Sequence, residues 1–318
     1  MRRPLAALAA GVLLFAASAC GSSEGSGDAS SGLTTVKVGV IPIVDVAPLY
    51  LGQHKGFFEA RGLKLSMMLA QGGAAIVPGV TSGQFPFGFS NVTSLLVARS
   101  RGVPVRAVAH GIASTGVPGK DFSGLLVKKG SALTSPKELE GRKVAVNALK
   151  NINETAVRES VRKDGGDPDR VRFVELAFDQ MPAALGQGQI DAAQVVEPAL
   201  STIKAQGGVE IADPLVDVAP KLTVAMYFTS ERYAAQHPDI VREFQAATAE
   251  SLAYADAHPA EVRQIIGTYT KVPAAVLDRV TLPKWPAHAN RASIEALARL
   301  SVRDGLFTTS PDLDKLLP

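Results

Sequence analysis

The chain has 318 residues, long enough for two domains of ordinary size. Apolar residues make up 46% and charged residues 20%, the balance of a soluble protein with true cores, and the net charge is only +3. No block of Lys or Arg stands out, and Arg2 and Arg3 lie in a segment expected to be removed, so a nucleic-acid partner is excluded as an expectation.

Residues 1–20, MRRPLAALAAGVLLFAASAC, combine a basic start, an apolar stretch from Leu5 to Ala17 and small residues before Cys20. The apolar stretch is short for a membrane span. Cys20 is the only cysteine, so an internal disulfide is impossible. AASA before Cys20 and GSSEGSGDASSG after it resemble a bacterial lipoprotein signal. That resemblance implies a signal peptide over 1–19, lipidation at Cys20 and a flexible tether over 20–34, holding the protein at the outer face of the cytoplasmic membrane. An ordinary secretory peptide with an incidental cysteine is the alternative.

Beyond the tether, TVKVGVIPI (35–43) alternates and is rich in Val and Ile, which predicts a strand. Asp45 offers a cap and Pro48 suits a first turn, so residues 46–60 are expected to be helical, ending before Gly62. LKLSMML (63–69) predicts a strand, QGG (71–73) a loop, AAIVPGVTS a short helix, FPFGF a strand, VTSLLVARSRG a helix and VPVRAVAHG (103–111) a strand. A similar series follows. GLLVKKG (124–130), RKVAVN (142–147), VRFVEL (171–176) and IDAAQVV predict strands, and SPKELEG, INETAVRESVRK and DQMPAALGQG predict helices between them. Each half repeats one phrase, GQFPFGFSN at 83–91 and GQIDAAQVVEP at 188–198, in which Gly-Gln leads into a short apolar run ending in polar residues. The alternation argues for α/β architecture with parallel strands and crossover helices, and the chain from 230 onward reads as helical.

Tests for an enzyme fail. GFSNV (88–92) has Val92 where a nucleophile elbow needs a small residue. Five histidines occur without ligand spacing, so no metal is expected, and neither dinucleotide nor phosphate-loop glycine patterns follow a strand. What remains are polar residues just past strand ends, where open α/β sheets bind ligands. They are Asp45, Gln71 with Gly72 and Gly73, Ser90 with Asn91, His110, then Asn147, Asn151, Asn153 and Glu197. Several precede helices, whose free N–H groups favour anionic or acceptor groups. Lys150 could assist if it points inward, although an exposed loop lysine is the commoner outcome. Glu197 suits a ligand amine or, equally, a helix-start carboxylate.

IPIVDVAPLYLGQHKGFFEARGLKLSM resembles the opening of the nitrate/sulfonate/taurine-type solute-binding proteins of ABC importers, a group that includes thiamine-pyrimidine binders. QGG, the SGQ phrase, LLVKKGS, SPKELEGRKVAV and GQIDAAQVVEP continue the match in order, while Pro86 and the strand end FSN depart from the family pattern. The resemblance implies a two-lobed periplasmic-binding-protein fold (type II), each lobe a mixed, mostly parallel sheet flanked by helices, with the ligand cleft between. Lobe 1 would hold 36–112 plus 231–318, and lobe 2 would hold 113–230. It also implies ligand loops at Asp45, Pro48, Gly72, Gly73, Ser90, Asn91, Asn147, Asn151, Asn153 and Glu197. The partners would be a small-molecule ligand, an ABC permease and its ATPase, with no cofactor and no catalysis. The expected solute is a small organic anion or zwitterion such as an aliphatic sulfonate, taurine or nitrate. A thiamine-precursor pyrimidine or other aromatic compound is the alternative, and an enzyme of pyrimidine synthesis a further one.

Overall fold

The computed structural model describes residues 32–317, so the expected signal peptide, Cys20 and most of the tether lie outside the described residues. Two five-stranded mixed sheets carry the chain. The first half runs β1 (Thr34–Val40), α1 (Ala47–His54), β2 (Leu63–Leu69), α2 (Gly73–Thr81), β3 (Phe87–Asn91), α3 (Val92–Ser100) and β4 (Val105–Ala113). The second runs β5 (Ser123–Val127), β6 (Lys143–Val146), α4 (Ile152–Lys163), β7 (Arg172–Glu175), α5 (Met181–Gly186), β8 (Ala192–Val196), α6 (Ala199–Ala205), β9 (Val209–Ala212) and α7 (Pro214–Val218). Then come β10 (Thr223–Ser230) and the helices α8 (Glu231–Gln236), α9 (Pro238–Ala257), α10 (Pro259–Tyr269), α11 (Ala274–Leu277) and α12 (Arg291–Arg303).

The strand orders are β2-β1-β3-β10-β4 and β7-β6-β8-β5-β9. In each sheet the first three strands are parallel, and the fourth and fifth are joined by antiparallel pairing. The fourth strand is in each case the one that follows a crossing: β5 after the chain leaves the first sheet, β10 after it returns. The two halves are therefore wound alike. The repeated Gly-Gln phrase has a structural reason in this plan. Gly83 (φ 83°) and Gly188 (φ 70°) take the left-handed turn that only glycine adopts cheaply, and the runs after them become β3 and β8, the fully buried middle strands of the two sheets.

β9 and β10 go beyond the elements expected from sequence. Because β10 pairs with β3 and β4, the chain returns to the first sheet before Thr223, ahead of the 230/231 division expected above. The long helix expected over 46–60 is also shorter: α1 stops at His54, Gly56 takes φ 78°, and a single tight turn over Glu59–Arg61 follows. Short helices elsewhere form as their ends predict. Ser135 and Glu138 make a reciprocal capping box, with Pro136 in the first turn.

α9 packs across the first sheet, where Phe87 and Phe244 stack at 3.9 Å between ring centres and both are fully buried. Each such ring contributes about 1.5–3 kcal/mol of burial. The crossing segments lie side by side: Ser114 donates its amide to the Leu222 carbonyl (2.9 Å), and the Gly119 amide donates to Asp213 (2.9 Å).

Candidate ligand seam between the two sheets

The carboxyl ends of β1, β2 and β3 meet those of β6, β7 and β8. The Val44 amide, just past β1, donates to the carbonyl of Glu197, just past β8 (3.1 Å). Asn147 Nδ2, past β6, donates to the Gln71 carbonyl, past β2 (3.4 Å). Arg162 of α4 pairs with Asp304, just beyond α12. Next to these contacts, a hollow of about 330 Å³ opens between Ile41–Ile43 and Leu69–Gln71 on one side and Ala177–Gln180 on the other. The 177–180 loop was missed in the sequence, although it obeys the same rule: it follows the end of β7.

Most of the candidate residues are brought to this seam. A Cβ on Gly73 would come within 2.0 Å of Ser90 Oγ, and one on Gly72 within 3.2 Å of Asn147 Nδ2. These glycines let α2 press onto the end of β3 and let the second lobe approach. Pro48 lies in the first turn of α1 and is buried. Asn91 caps α3, accepting from the Ser94 amide (2.9 Å). Asn151 caps α4 by accepting from the Asn153 and Glu154 amides, and its side chain, with that of Asn153, donates to Asn147 Oδ1 (2.9 and 2.7 Å). The three asparagines thus form one buried network. Lys150 is exposed and takes φ 53°.

Glu197 departs from the ligand-amine role. Its Oε1 accepts from Ser201 Oγ (2.7 Å) and the Thr281 amide (3.0 Å), and its Oε2 from the Ser201 amide (3.0 Å). The carboxylate is thus taken up at the start of α6, while burial pushes its pKa up against those bonds. Asp45 departs from the cap role. It sits inside a tight turn over Val44–Val46, and α1 begins without a side-chain cap.

His110 is not part of the seam. It lines a separate hollow of about 580 Å³ with Gln245, Leu252, Trp285 and His288. Burial, and then the neighbouring His288, push its pKa down to about 4, so it is neutral near pH 7. A strand-end position did not predict its side, because β4 is an edge strand covered by α9 and bridged at Ala113 to Lys284, next to Trp285.

Several polar atoms at and behind the seam are buried with no hydrogen-bond partner: Asp45 Oδ1, Thr93 Oγ1 in the first turn of α3, Thr155 Oγ1 in the first turn of α4, and Tyr227 Oη on β10. Asp45 is 3% exposed. Its pKa is raised to about 8, first by burial and to a lesser degree by the charge of Asp121. Tyr227 and Tyr269 are held above the usual phenol range by burial, with Asp45 adding to both. Tyr269 donates to the Ile43 carbonyl (2.9 Å) and stacks on Tyr50 at 4.1 Å.

The Asp45 shift makes a prediction with a definite sign. Folded Asp45 keeps its proton where the unfolded chain has lost it, so through this group stability falls as pH rises from about 4 to about 8. Wild type and Asp45→Asn should melt alike near pH 4 and diverge toward pH 8, the variant becoming more stable by up to about 5 kcal/mol. Thermal unfolding across pH checks this, and a difference that does not change with pH contradicts it.

Three comparisons place the chain among known proteins. It is 25% identical over 242 residues to the 4-amino-5-hydroxymethyl-2-methylpyrimidine phosphate synthase of Aspergillus parasiticus, covering 70% of this chain and 68% of that one. It is 25% identical over 190 residues to the taurine-binding periplasmic protein of Escherichia coli (strain K12), covering 59% and 56%. The alkanesulfonate-binding protein SsuA from Xanthomonas axonopodis pv. citri, solved bound to MOPS, has the same fold, with a TM-score of 0.74 at 18% identity, covering 91% of this chain and 100% of that one. The family model described as NMT1/THI5 like matches residues 43–262, and with the two-lobed architecture beneath it, the chain belongs to the NMT1/THI5-like family.

Proposed function

We propose that the protein is the extracytoplasmic solute receptor of an ABC importer. It captures a small organic anion or zwitterion of the aliphatic sulfonate, taurine and nitrate class by hinge closure, then delivers it to a membrane permease and ATPase. The observation that carries this reading is the seam: strand-end loops of two like-wound sheets meet there, beside buried polar atoms that have no protein partner. A guest held in such a seam would receive hydrogen bonds from both lobes at once, and the paired crossing segments are the natural place for the lobes to swing. The likeness to the taurine-binding protein supports the choice of solute class.

A second reading, a receptor for a thiamine-precursor pyrimidine, is favoured by the stacked Tyr50 and Tyr269 close to Asp45 and by the pyrimidine-phosphate-synthase relative. On either reading the seam binds and releases its guest without bond chemistry.

A thermal-shift screen against taurine, ethanesulfonate, nitrate and the aminopyrimidine tests the proposal. A true solute at a hundredfold above its dissociation constant adds about 2.7 kcal/mol of stability. A shift with the pyrimidine alone selects the second reading, and no shift with any of them contradicts the receptor reading for these solutes. For the anchor, Cys20→Ser should move the protein from the membrane fraction to the soluble fraction. Continued membrane attachment of the variant would count against lipidation at Cys20.

A further inference from the structure

Two adjoining hollows lie away from the seam. The one beside His110, of about 580 Å³, and a second of about 520 Å³ share Trp285, His288 and Ala289, and neither shares a lining residue with the hollow at the seam. Each falls within the usual size of small-molecule sites, about 300–1,000 Å³. The second hollow reaches both crossing segments, at Ser114 and Thr115 on one and at Lys221 on the other.

The two hollows differ in character. The first is walled mainly by Val108, Ala249, Leu252, Ala253, Trp285 and Leu317. Its arginine, Arg291, is taken up by Glu295 (3.2 Å) and Asp314 (2.6 Å), and His110 adds no charge near pH 7. The second carries Lys221, Lys284 and Asp256, none of which makes an ion pair among the described residues, so the lysines outnumber the carboxylate. Lys221 is also held in place. Its backbone takes φ 49°, left-handed and uncommon for a residue with a Cβ, and Asn290 Nδ2 donates to the Pro220 and Lys221 carbonyls (both 3.2 Å). An apolar wall beside a surplus of positive charge suits a guest that has an apolar body and an anionic head.

We propose that the two hollows form one second binding site, separate from the seam, for a small amphipathic monocarboxylate. The apolar body lies along α9 and Trp285 in the first hollow, and the carboxylate reaches toward Lys221 and Lys284 in the second. This site does not depend on which solute the seam takes. Trp285 is the only tryptophan in the chain, so contact quenching of tryptophan emission reports on this place alone.

Octanoate, octanol, octylammonium and butyrate, each titrated calorimetrically into the mature protein, test the assignment. Octanoate should bind at least about tenfold tighter than butyrate, because its additional methylenes leave water. It should bind about threefold tighter than octanol, the size expected of a solvent-exposed ion pair, and octylammonium should bind more weakly than octanol. Octanoate brominated at its end carbon should quench the emission of Trp285. In the double variant Lys221→Gln, Lys284→Gln the preference for octanoate over octanol should vanish while the ligand-free melting temperature stays close to wild type. Absence of octanoate binding, octanol binding as tightly as octanoate, or calorimetric binding without quenching overturns the proposal. A preference that survives in the double variant overturns it too, and none of these results bears on the receptor reading.

Discussion

One main-chain hydrogen bond, from the Val44 amide to the Glu197 carbonyl, ties the end of the first sheet's β1 to the end of the second sheet's β8. Strand ends are where the backbone runs out of ladder partners, and their orphaned groups must find another partner or a ligand. Here each sheet offers its unsatisfied ends to the other. The rest of the architecture serves that meeting: two like-wound sheets, glycines at 72 and 73 that permit close approach, and crossing segments laid side by side.

The electrostatics of the seam follow from the same geometry. Closing two lobes removes water from everything between them, which penalises any charge left there. The chain answers with asparagine networks and short caps, neutral groups that satisfy one another, and with carboxyls clothed in backbone and hydroxyl donors. Asp45 keeps one buried oxygen without a partner, and burial drives its pKa upward.

Much of this was legible in the sequence because it is local. Gly83 and Gly188 announce left-handed turns, and the apolar runs after them announce buried strands, so the repeated phrase maps onto the two central strands. Strand-end reasoning likewise brought Gly72, Ser90, Asn91 and the three asparagines to one place. The misreadings are non-local. β10 belongs to the first sheet only because the chain returns there, and no periodicity in TVAMYFTS encodes its neighbours. Glu197 is occupied by Thr281 and His110 faces His288, partners distant in sequence that no window around either residue contains. Tyr227 and Tyr269, likewise distant in sequence, come near enough to Asp45 to feel its charge.

The central claim is that the two lobes close on a small guest, and small-angle scattering of the mature protein tests it most directly. With and without the solute that gives the largest thermal shift, the account predicts a smaller radius of gyration in the bound state as the strand ends draw together. An unchanged radius at saturating solute would contradict it.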